Sequence, residues 1–245
     1  MRRAAILAGG RGERLHPHTA RLPKALVPLD GRPVLEILLR QLAAAGFARA
    51  DLCVGHMGLQ IEERIGDGAA FGMRLDYRRE PAPLGTFGPL ATLPDLEPDQ
   101  PVLALNGDIL TDLDFADVLE AHRAAGADAT VCARPVRSGL DVGVVEVTPQ
   151  GRLADYREKP HEEVLVSIGV NVVRAGALAL IAPGERIDAP AFMLRLRDAG
   201  GRVDCRVVDA YWRDVGRIED CRAAAAALAA EPDRFLGPAP AGRDV

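Results

Sequence analysis

The stretch RAAILAGGRGERLHPHTARLPKALVPL, residues 3–29, constrains the fold more than any other. Ala4 to Leu7 is a short apolar run, long enough for a buried strand and too short for a helix. Ala8-Gly9-Gly10-Arg11-Gly12 then breaks the pattern. Glycines directly after a buried strand let backbone N–H groups approach a ligand, and clustered N–H groups favour anions. Two cations follow, Arg14 and Lys24, the second placed just after the rigid Pro23. A tight strand-to-loop turn explains the glycines alone about as well. Glycines, Arg and Lys together predict a polyphosphate site. The P-loop string is absent, and the dinucleotide fingerprint lacks its third glycine, where Glu13 or Arg14 stands. Pro17, Pro23 and Pro28 keep the segment irregular.

The chain then alternates helix and strand patterns. Pro33 to Ala45 predicts a helix, with Gly46 as its stop. Ala50–Val54 is a strand, Leu59–Ile65 a short helix and Met73–Tyr77 a strand. This order implies parallel strands with helical crossovers. A loop from Glu80 leads to a helix expected over Gly85–Leu93. Pro101–Leu105 is a further buried strand and runs into Asn106-Gly107-Asp108. An acid just past the carboxyl end of such a strand stands where open parallel sheets bind ligands. Asp114 to Ala125 is a helix capped by Asp114 and stopped by Gly126, and capping suffices to explain Asp112 and Asp114.

After Asp128 the texture becomes more antiparallel. Ala129–Ala133, Val142–Val147, Leu153–Tyr156, Val166–Val173 and Arg202–Val208 predict strands. Helices are expected near Gly176–Ile181, Pro190–Ala199 and Ala223–Ala230, and residues 231–245 are expected to fray. The fold class is therefore α/β: a Rossmann-like, mainly parallel mixed sheet with an antiparallel extension. One domain spans 1–230, with halves at 1–127 and 128–230.

Composition excludes several classes. With 245 residues and 48% apolar content the chain can bury one substantial core. The net charge is −5, no basic block exists, and aromatics are only 4%, which speaks against nucleic-acid partners. A phosphate site must then be a local positive pocket. Cys53, Cys132, Cys205 and Cys221 are far apart, with no CxxC pair to suggest zinc or redox chemistry, and the first three read as core strand residues. The chain enters its first strand at once, without a signal-peptide pattern, and no run approaches a membrane span. A reduced, cytoplasmic protein without a membrane partner is expected. His16 and His18 read as loop-surface residues, and His56, His122 and His161 are scattered.

LAGGRGERLHPHT followed by LPKALVPL resembles the signature of the sugar nucleotidyltransferases, and further similarities run to about residue 222. The resemblance implies transfer of a nucleotidyl group from a nucleoside triphosphate to a sugar 1-phosphate, with Mg²⁺ as cofactor. It implies that Asp108, in LNGDIL, and Asp214, in YWRDVG, bind the metal. It makes Arg14 and Lys24 the phosphate clamp, catalytic together with Asp108. It places the nucleotide on Leu7, Ala8, Gly9, Gly10, Gly12, Glu80 and Gly85. Glu158-Lys159-Pro160 resembles the family's sugar site, and Gly143 and Asn171 would line the same pocket. Many relatives carry an aromatic where Val142 precedes that glycine. Glu80 to Leu90, with LNGDILTDLDF, most resembles short mannose-1-phosphate guanylyltransferase-like enzymes. A carboxylate only accepts hydrogen bonds, and guanine offers two adjacent donors, so GTP is the expected substrate. Uridylyl, thymidylyl or cytidylyl transfer stays open, as do a metal-dependent glycosyltransferase, a non-catalytic nucleotide-sugar sensor, and a homo-oligomeric state.

Overall fold

The structure, a computed structural model, describes residues 2–16 and 18–237. The first half contains β1 (Arg3–Ala8), the two-residue strands β2 (Pro28–Leu29) and β3 (Arg32–Pro33), α1 (Val34–Ala44) and β4 (Arg49–Val54). It continues with α2 (Gly58–Ile65), β5 (Arg74–Arg79), β6 (Pro101–Asn106), β7 (Ile109–Thr111) and α3 (Phe115–Ala125). The second half holds β8 (Ala129–Gly139), β9 (Val144–Val147), β10 (Leu153–Arg157), β11 (His161–Arg174) and α4 (Ala189–Asp198). It closes with β12 (Val203–Val207), β13 (Trp212–Asp214), α5 (Ile218–Ala230) and α6 (Pro232–Leu236).

A seven-stranded sheet runs in the order β12-β8-β11-β6-β1-β4-β5. β6, β1, β4 and β5 are parallel neighbours, as the helical crossovers predict. β11 is antiparallel to β6 and to β8. β12 is parallel to β8, so the sheet is mixed with β11 as its one reversed strand, lying between β6 of the first half and β8 of the second.

Strand alternation divides the core. Ala4, Ile6 and Ala8 of β1 join one apolar layer with Leu38, Leu52 and Val118. Ala5 joins the opposite layer with Phe87, Phe192 and Leu196. A third cluster links Leu15 of the glycine-loop segment to Leu29, Leu110, Leu228 and Phe235. That cluster anchors the loop between Arg14 and Lys24 from below. Asp51 on β4 is fully buried, and its two oxygens accept from Arg3 Nε and Arg78 Nε, each at 2.8 Å. This pairing explains a charge in the sheet interior.

Several expectations need correction. Gly85–Leu93 is no α-helix: the chain stays irregular to Phe87 and makes only a 3₁₀ turn over Gly88–Thr92. The amides of Phe87 and Gly88 both donate to Ile187 O instead of to local carbonyls. Likewise Ala175–Leu180 is a 3₁₀ turn. β8 and β11 run well beyond the expected strands, as a two-stranded arm whose exposed residues hide the apolar pattern. Cys205 is exposed, since β12 is the sheet edge. Asp112 is not a cap: Asp114 accepts from the Ala116 and Asp117 amides of α3, while Asp112 accepts from Tyr211 N at 2.8 Å and from Arg234 Nε at 2.6 Å.

The expected tail begins later than 231. Pro232–Leu236 forms α6, and Phe235 is 1% exposed against Tyr211, with ring centroids 5.2 Å apart. Residues 238–245 lie outside the described part. Phe235→Ala should therefore destabilise the fold by about 3–5 kcal/mol, the usual loss for a buried Phe. Urea denaturation measures this, and a shift within error would show that α6 contributes nothing to the core.

Candidate active site

The site is assembled at the carboxyl ends of β1 and β6. β6 ends at Asn106, and Gly107 N–H donates to Leu7 O at 2.9 Å, which lays the start of the next turn across β1. A Cβ on Gly107 would sit 3.2 Å from Ala8 and Ile6, so only glycine lets the two strand ends approach freely. Asp108 follows directly. β7 then pairs antiparallel with β13, matching Ile109 to Asp214, and Val215 N–H donates to Asp108 O at 2.8 Å. This short ribbon carries Asp214 back across the sequence to Asp108.

Lys24 meets them from the glycine-loop side. Pro23 opens a 3₁₀ turn over Lys24–Leu26, and Ala25 and Leu26 bury beneath it. Gly12 has φ +64°, and Thr19 Oγ1 donates to its carbonyl at 2.7 Å. A Cβ there would press on Thr19 and Lys24, so Gly12 shapes the loop around the lysine stem. The Lys24 ammonium pairs with Asp108 Oδ2 and lies 3.0 Å from Asp214 Oδ1. Arg14 Nη2 stands 3.6 Å from Asp214 Oδ2, with its side chain 65% exposed.

Burial alone would depress the Lys24 ammonium, but Asp108 and Asp214 outweigh it and hold the pKa above its ordinary value. Burial pushes the Asp108 carboxyl up, and Lys24 pulls it back. Charge in the cluster is balanced, two cations against two carboxylates. Any anionic ligand or divalent cation entering must exchange partners with these four groups.

A cleft of about 260 Å³ opens beside Asp108. Leu7, Gly9, Gly10, Glu80, Gly85 and Asp108 line it, all expected from the sequence. Pro83, Thr86, Pro89, Asn106 and Asp188 line it too, and sequence reasoning missed them. Asn106 stands inside the quoted LNGDIL string, a signal that could have found it. Asp188 lies about a hundred residues from the loop it meets and carries no such signal. Ala8 is buried in the core. Glu80 Oε1 packs over Gly9, where a Cβ would push the carboxylate aside, and Oε2 accepts from Leu84 N at 3.0 Å. Burial pushes the Glu80 carboxyl up, with the Leu84 amide pulling back.

The expected sugar-side residues stand apart. Glu158 and Lys159 are exposed where the β9–β10 hairpin rejoins β11, and Lys159 Nζ is 2.7 Å from Asp141 Oδ1. Gly143 is packed under Tyr156 and Glu158. Asn171 is 4% exposed within the sheet, between Ala104 and Val131. No ion pair or hydrogen bond among the described residues joins these side chains to Lys24 or Asp108. His122 is buried with Nδ1 2.8 Å from Thr130 Oγ1, a packing role, and His16 is exposed.

The Nucleotidyl transferase family pattern matches residues 3–231. The chain belongs to this family. It is 32% identical over 215 residues to a mannose-1-phosphate guanylyltransferase of Mycobacterium tuberculosis, covering 85% of this chain and 59% of that one. It is 34% identical over 199 residues to the N-acetylmuramate alpha-1-phosphate uridylyltransferase of Neisseria meningitidis serogroup B, covering 74% of this chain and 82% of that one. The chain thus spans about three fifths of the length of the first of these relatives. A crystal structure of a Bacillus anthracis protein assigned as a glucose-1-phosphate thymidylyltransferase superimposes with a TM-score of 0.75 at 20% identity. That match covers 99% of this chain and 98% of the other, and establishes the shared fold. The family's mixed α/β sheet is the one described above. Among the described residues no helix is long and apolar enough to cross a membrane.

Proposed function

We propose that the chain transfers a nucleoside monophosphate from a triphosphate to a sugar 1-phosphate and releases pyrophosphate. The observation that carries this reading is the convergence of Arg14, Lys24, Asp108 and Asp214 beside a cleft fit for a nucleoside. A phosphate oxygen of the sugar 1-phosphate forms the new bond to the α-phosphorus, and the bond to the β-phosphate bridging oxygen breaks. The nucleophile is already an anion, so no general base is required. The protein's task is to hold two anions in line and to neutralise the leaving charge. In this reading Lys24 meets phosphates of both substrates, and exposed Arg14 neutralises the departing pyrophosphate.

Two carboxylates on one point suit Mg²⁺, which takes one or two protein carboxylates together with substrate phosphates. Among the described residues no cluster of three or more ligating side chains exists, so a metal cage built by protein alone is not what this site offers. Asp108 and Asp214 would hold the ion, which when bound supplies charge neutralisation on the phosphates. We place the sugar toward Gly143 and Glu158, with Lys159 and Asn171 expected on that side.

For the base we propose GTP, because Glu80 puts an acceptor-only group at the cleft wall. A pyrimidine triphosphate is the second reading, since Glu80 Oε2 is already committed to Leu84 N–H. A matrix of five triphosphates against sugar 1-phosphates, scored by pyrophosphate release, decides between them. GTP should lead, and Glu80→Gln should narrow its lead over UTP and dTTP. A pyrimidine preference in the wild-type protein would overturn the base assignment. Sugar transfer without pyrophosphate release would overturn the whole reading.

A further inference from the structure

The loop that bounds the nucleotide cleft is held from the other half of the chain. Ile187 N–H donates to Leu84 O at 2.9 Å, and the amides of Phe87 and Gly88 return to Ile187 O at 2.9 and 3.1 Å. Side chains complete a reciprocal pair. Thr86 N–H donates to Asp188 Oδ1 at 2.9 Å, and Ala189 N–H donates to Thr86 Oγ1 at 2.8 Å. Phe87 stacks on Phe192 of α4, with centroids 5.2 Å apart. Gly85 sits at φ +75° against this clasp, and a Cβ there would lie 2.6 Å from Ile187 O and 2.8 Å from Asp188 Oδ1. So Gly85 is required by the contact with Ile187 and Asp188, independently of any ligand.

Asp188 opens α4, yet its side chain makes no capping bond to its own helix. It is spent on the loop instead. A carboxylate at a helix start ordinarily satisfies that helix's first amides. Here it crosses to Thr86, and both residues line the cleft with Glu80 and Gly85. Removing the carboxylate frees the Thr86 amide and loosens the wall against which a base would rest.

We propose that Asp188 is a positioning residue for the nucleotide: it fixes the 83–88 segment in its binding shape through Thr86. This deepens the functional reading above and rests on it for the ligand. Ordering the loop in advance removes an entropic cost from binding. The charge itself is not what matters, because Asn can offer the same acceptor to Thr86.

The test compares Asp188→Ala, Asp188→Asn and Thr86→Val with wild type, all checked for an unchanged circular dichroism spectrum. Calorimetric binding of a non-transferable GTP analogue should weaken by about tenfold in Asp188→Ala, the upper end of what one ordinary hydrogen bond contributes. Asp188→Asn should recover most of that loss, and Thr86→Val should weaken binding in the same direction. The KM for sugar 1-phosphate should stay unchanged. Hydrogen exchange of the Thr86–Gly88 amides, read without nucleotide, should quicken in Asp188→Ala and return toward wild type in Asp188→Asn. Wild-type affinity in Asp188→Ala, or equal losses in the Asn and Ala variants, overturns the proposal. If the wild-type protein binds no triphosphate, the functional reading fails; exchange then judges the clasp alone, and unchanged rates overturn it.

Discussion

Asp108→Asn and Asp214→Asn should each reduce kcat by about 10²–10³, corresponding to the loss of one preorganised charge contact in a site of this kind. Both side chains meet on the Lys24 ammonium, so each swap removes a charge from the same point at nearly constant shape. The fold should survive. Asp214 is held by its β13 backbone, and Asp108 by Val215 N–H on its carbonyl, neither of which depends on the carboxylate. The added readout is metal dependence: the Mg²⁺ concentration for half-maximal rate should rise in both variants. A variant with a near-wild-type rate at limiting Mg²⁺ would remove that residue from the metal site.

Lys24→Met should produce two effects of opposite sign. Turnover should fall by about 10²–10³, the loss expected if the cation proposed to meet both substrates' phosphates is removed. Metal binding without nucleotide should instead tighten. The ammonium stands between the two carboxylates, so an incoming divalent ion must displace it against like-charge repulsion. Methionine has similar reach and no charge. Mn²⁺ titration followed by electron paramagnetic resonance should show higher affinity in Lys24→Met than in wild type, abolished by adding Asp108→Asn. Equal affinity in wild type and Lys24→Met would mean that Lys24 does not contest the metal position. Binding indifferent to Asp108→Asn would place the metal elsewhere.

The amino-acid sequence by itself determined the alternation of parallel strands and helices in the first half. There the apolar runs are buried on both sides, as in β1 and β6, and such runs are legible without context. It also singled out Gly9, Gly10, Lys24 and Asp108, because glycines directly after a buried strand, a lysine just after a proline and an acid at a strand end are local patterns. What lay beyond it has a common cause. β8 and β11 continue as an arm in solvent, where no buried face imposes a pattern, so their outer lengths were invisible. The 85–93 segment carries Gly85, Gly88 and Pro89, all poor helix formers, and its Phe87 and Gly88 amides are claimed by Ile187 O, a hundred positions away. Phe235 lies in a proline-bearing end segment that composition reads as a tail, yet the third core cluster has a place for its ring. The pairing of Asp214 with Asp108 and Lys24, and the reach of Asp188 to Thr86, are contacts between distant segments. Local propensity has no term for such contacts, and only the packed chain decides which groups meet.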